Sequence, residues 1–109
     1  MNEEYSKKVW KVVDVKSVQD KTKLIFADAD KGKTLESLYL KLKTKLEKFP
    51  PDEMLYSPPK EDLFGGSLIY WVKSENLKIL IRAVYFLPSG NCVIDRFHLS
   101  DEGVIDIDL

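Results

Sequence analysis

Cysteine and histidine are nearly missing from this chain, which has one of each, Cys92 and His98, among 109 residues. A single cysteine forms no internal disulfide, so packing alone has to hold the fold, as suits a reducing compartment. The pair also fails as a zinc site. On a regular strand the two residues share a face, yet their Cα atoms stand roughly 20 Å apart, too far for one ion or for proton transfer from Cys92 to His98. Long hydrophobic runs are missing as well. No stretch approaches the roughly 18–20 apolar residues that cross a bilayer, and Met1 to Lys8 lacks the apolar core of a signal peptide. The cytoplasm is therefore the expected compartment, without membrane association. The chain has little net charge, −1 from 17 basic and 18 acidic residues, whereas a general nucleic-acid binder is usually more basic.

What is present points to a single folded domain spanning residues 1–109. The length suits one core, and a hydrophobic fraction of 44% is ordinary for a globular protein. Charge is divided unevenly. Residues 1–48 carry 12 basic and 8 acidic side chains, and residues 49–109 carry 5 and 10.

Val9 to Val18 and Leu24 to Ala27 are rich in β-branched and apolar residues and flank the polar Gln19-Asp20-Lys21, which predicts a hairpin. Thr34 is positioned to cap a following helix. Leu35, Leu38, Leu42, Leu46 and Phe49 then recur at helical spacing, and Pro50-Pro51 ends the helix. Residues 50–66 form a long connection that nevertheless contains Leu55, Tyr56 and Phe64. Three strand-like runs follow, Ser67 to Lys73, Leu77 to Leu87 and Asn91 to Leu99, joined by short turns. A two-residue Ser89-Gly90 turn sets Arg82 opposite Phe97 and diagonal to Asp95, within reach of an ion pair. It also puts Arg96 and His98 on the face of Ile79 and Ile81. Val104 to Leu109 alternates apolar and acidic residues and is a candidate edge strand. The expected fold is α+β, a mainly antiparallel sheet of five or six strands ordered β-β-α-loop-β-β-β, with one amphipathic helix packed on it.

Several short motifs fall to a plainer explanation. Leu24 to Asp30, with its Asp28-x-Asp30, resembles the first motif of the haloacid dehalogenase phosphotransferases over about seven residues. However, Gly32 stands at the fifth motif position, and that family's parallel sheet needs more than one helix. Gly32-Lys33-Thr34 has the close of a phosphate-binding loop but Ala27 where its first glycine belongs. A calcium loop starting at Asp28 would need Glu where Tyr39 stands. No metal or cofactor is expected.

Three functions remain. The leading expectation is a non-enzymatic interaction protein of inhibitor, immunity or mobile-element accessory type. It would bind a protein partner through Leu55, Tyr56 and Phe64 and the acids Asp101, Glu102, Asp106 and Asp108. The second is nucleic-acid binding along the helix lysines Lys41, Lys43, Lys45 and Lys48. The third is metal-independent ribonuclease chemistry, with His98 moving a proton while Arg82 or Arg96 holds the phosphate. In size and residue types that reading is similar to the small toxin nucleases of mobile elements.

Overall fold

The computed structural model describes residues 7–49, 60–62, 67–74 and 78–99. Within them the order is β1 (Lys11–Asp14), α1 (Lys16–Phe26), α2 (Gly32–Leu46), β2 (Lys60–Asp62), β3 (Ser67–Lys73), β4 (Ile79–Phe86) and β5 (Asn91–Leu99). The fold is α+β, as expected, but the described residues hold two helices and a mixed sheet. Four strands of four to nine residues and the three-residue β2 lie in the order β1-β5-β4-β3-β2. β1 runs parallel to β5 and the other neighbours are antiparallel.

The predicted N-terminal hairpin is the main correction. Only Lys11–Asp14 is strand, and its second arm is helical. Val18 and Thr22 are four apart and buried, Ile25 and Phe26 continue that stripe against the core, and Leu24 points to solvent. That is a helical period hidden under β-branched residues, and burial overrides their strand preference. Nor does Thr34 cap α2, which begins two residues earlier. Asp28 organises the turn instead, its Oδ1 accepting from the backbone N–H of Asp30 (2.8 Å) and Lys31 (2.9 Å). These bonds, first that of Lys31, hold its carboxyl below the usual carboxylate value. The Asp-x-Asp pattern is thus part of a turn between two helices.

Both helices cover one face of the sheet. Leu42 and Leu46 of α2, Val18 of α1 and the flanking Trp10 and Phe49 meet Tyr70, Val72, Ile79, Ile81, Tyr85, Ile94 and Phe97 in the core. Aromatic rings pack edge-on, with centroids 4.9 Å apart for Trp10 and Tyr85 and 5.1 Å for Tyr39 and Phe97. Polar groups at this layer find carbonyl partners: Tyr85 donates to the Leu46 carbonyl (2.9 Å), and Lys21 to that of Phe97 (2.7 Å).

The β4–β5 pairing also departs from expectation. The turn holds four residues, 87–90, with Gly90 in the left-handed region at φ 74°, and Phe86 faces Asn91. Further along, Arg82 faces Arg96 while Ala83 faces Ile94, so Asp95 is an extra residue on β5, a β-bulge. The bulge resets the alternation. Cys92, Ile94 and Phe97 face the helices, whereas Arg96 and His98 turn to the opposite face, away from both Cys92 and the core side to which regular alternation assigns them.

Candidate functional site on the sheet face opposite the two described helices

Strand register fixes what this face carries. Trp71 of β3 pairs with Arg82 of β4, which pairs with Arg96 of β5; in the next row Lys73 pairs with Leu80, which pairs with His98. Side chains two apart on a strand share a face, so all six belong to one patch. The three residues of the ribonuclease reading, His98, Arg82 and Arg96, are therefore brought together. Their separation in sequence gives little hint of this, because it depends on the bulge.

The Trp71 and His98 rings are stacked, with centroids 6.1 Å apart and planes inclined by 21°. Their strands are separated by β4, so the rings reach over it, and Leu80 beneath is 3% exposed. Trp71 itself is 6% exposed and serves as a rigid support for the imidazole rather than as an open stacking surface. Arg82 makes the expected ion pair with Asp95. Its Nε donates to Oδ1 (2.8 Å) and its second terminal nitrogen donates to Oδ2. This two-bonded pair fixes the guanidinium plane. The Arg96 guanidinium donates to the Asp95 carbonyl (2.8 Å), lies 3.8 Å from its carboxylate, and is 53% exposed. Arg96 is thus the better placed of the two to meet an incoming anion. Sequence reading missed Trp71 as the support of His98, and no local signal marks it; only the pairing of β3, β4 and β5 does.

The other predicted residues lie elsewhere. Lys41, Lys45 and Lys48 are exposed on the helix layer, across the sheet from this patch. Lys43 is engaged internally, its ammonium 3.3 Å from Asp14, which also accepts from the Tyr39 hydroxyl (2.8 Å). Burial, then the Asp14 charge, pushes the Tyr39 phenol far above its usual value. Cys92 lies in the core, where burial pushes its thiol up to about 12, so it is no nucleophile. Leu55, Tyr56, Phe64, Asp101, Glu102, Asp106 and Asp108, and the suggested C-terminal edge strand, lie outside the described residues. Among the described residues no three His, Cys, Asp or Glu side chains are grouped to hold a metal ion, and no helix is long and apolar enough to cross a membrane.

No family model matches this chain, and no curated protein or solved structure matches it significantly.

Proposed function

We propose that this protein binds RNA on the sheet face opposite α1 and α2 and cleaves it without a metal ion. The observation that carries the reading is the bulge at Asp95, which brings His98, Arg82 and Arg96 onto one face with Trp71 supporting the imidazole. The reaction is transfer of the phosphodiester to the neighbouring ribose. His98 takes the proton from the 2′-hydroxyl, the 2′-oxygen forms a bond to phosphorus, and the bond to the 5′-oxygen breaks. The departing 5′-oxygen takes up a proton, so the products are a 2′,3′-cyclic phosphate and a free 5′-hydroxyl. Arg96 carries the growing negative charge on the phosphoryl oxygens. Arg82, held by Asp95, orients the patch and adds positive potential behind it.

Incubating the wild-type chain with single-stranded RNA in EDTA tests this. Fragments ending in 2′,3′-cyclic phosphate are expected, with a loss of 10²-fold or more in His98→Ala, the usual range for a general base being roughly 10²–10⁴. Intact RNA, or full activity in His98→Ala, overturns it.

A protein partner is a second reading, favoured by the exposed Leu24 (79%) and Leu40 (56%) on the lysine-rich helix layer. It predicts that a complex purified under mild conditions and seen by native mass spectrometry is lost in the Leu24→Asp, Leu40→Asp double variant while the melting temperature holds. Retention of the complex, or purification only as the free chain, counts against it.

A further inference from the structure

The cleavage proposed above needs two proton transfers, and His98 supplies one. The leaving 5′-oxygen departs as a poor, strongly basic alkoxide unless a second group gives it a proton. We infer that Lys73 is this general acid, an assignment that rests on the ribonuclease reading and completes it.

Attack and departure occur on opposite sides of phosphorus, roughly in line, so base and acid have to approach a bound phosphate from two sides. Lys73 and His98 occupy the same row of the sheet on the same face, with Leu80 of β4 between them. Two strand spacings set their Cα atoms about 10 Å apart. The Trp71–His98 stack fills the space over Leu80, so a phosphodiester lies on the outer side of that stack, where the imidazole reaches it from β5 and the Lys73 ammonium from β3, with Arg96 in the adjacent row. Chemistry fixes the direction of transfer: an ammonium group enters as a proton donor, and a neutral imidazole enters as an acceptor.

Lys73 also differs from the lysines that hold the fold together. Lys21 donates to a β5 carbonyl and Lys43 pairs with Asp14, whereas the Lys73 ammonium makes no hydrogen bond or ion pair with the described residues. It is half-buried at the end of β3, next to the buried Leu80, on a rigid element rather than a loop. A lysine in that position is well placed to have a catalytic role and has no evident structural one.

The test uses one short RNA made in two forms, with the ordinary 5′-oxygen or with sulfur at the scissile 5′ position. A thiolate leaves without protonation, so the sulfur substrate bypasses a general acid. Lys73→Ala is expected to slow cleavage of the oxygen substrate by roughly 10²-fold or more and to cut the sulfur substrate at nearly the wild-type rate. Lys73→Arg, which keeps the charge but holds its proton too tightly to donate, should behave in the same way. Equal losses on both substrates would assign Lys73 to electrostatic binding and overturn the inference, as would full activity of Lys73→Ala on the oxygen substrate. If the wild-type chain cuts neither substrate, the ribonuclease reading itself falls and the inference falls with it.

Discussion

Gly32 shows how tightly single residues are constrained in this chain. A Cβ built there lies 2.3 Å from the Phe26 carbonyl oxygen, where α2 begins against the end of α1. Alanine is intrinsically better than glycine in a helix by about 1 kcal/mol, but that gain is smaller than the overlap, and overpacking of this kind costs about 1–3 kcal/mol. Gly32→Ala is accordingly expected to lower the melting temperature by several degrees, which thermal denaturation followed by circular dichroism will check; an unchanged or higher value would mean that the helices separate easily. Cys92 makes a second residue-scale case. Buried, with its thiol pushed up to about 12, it should resist alkylation by iodoacetamide at pH 8 in the folded protein and react fully in denaturant. Rapid labelling of the native protein would contradict its burial.

At the scale of elements, the bulge on β5 absorbs Asp95 and so keeps Arg96 and His98 on the face of Arg82. Asp95 and Arg96 both oppose Arg82, so removal of Asp95 restores regular alternation and leaves Phe97 facing in and His98 facing out. A variant lacking Asp95 is therefore expected to fold, with the Ile81–Phe97 and Tyr85–Cys92 cross-strand contacts still visible by NMR. Its stability should fall by about 2 kcal/mol, because Arg82 loses its charged hydrogen-bond partner. Failure to fold would show that the bulge is needed for the sheet itself. This is also where reading the sequence reached its limit. α2 was legible because Leu35, Leu38, Leu42 and Leu46 repeat at a period that only a helix turns to one side, and β3 to β5 because their apolar runs are short and divided by turns. α1 was not legible: Val12, Val13, Val15 and Val18 look like one strand, and only the burial of Val18 and Thr22 against the sheet shows where the period changes. The parallel pairing of β1 with β5 has no local signature at all. The Arg82–Asp95 pair was foreseen from an incorrect register, since the diagonal and the bulged geometries both bring the two side chains together.

At the scale of the whole molecule, the sheet separates two chemically different sides. One bears the helices, with Lys41, Lys45 and Lys48 at the surface; the other bears the imidazole, the two arginines and Lys73. The helix side also determines how the fold responds to alkali. Tyr39, Tyr85 and Cys92 are all held protonated by burial, with folded-state values above their unfolded ones. Their contribution to stability is complete below pH 9, the unfolded value of the thiol, and is lost as pH rises toward 12. Urea denaturation between pH 7 and 11 should therefore show stability constant to about pH 9 and falling above it; a profile flat to pH 11 would mean that these groups titrate freely. The two sides give opposite answers to the question of where RNA binds. The decisive measurement is an NMR titration of isotope-labelled protein with fully 2′-O-methylated RNA, which lacks the attacking hydroxyl and is not cut. Shifts centred on Lys73, Arg82, Arg96 and His98 are expected, while shifts confined to Lys41, Lys45 and Lys48, or none, would contradict the assignment of the face opposite α1 and α2 as the site.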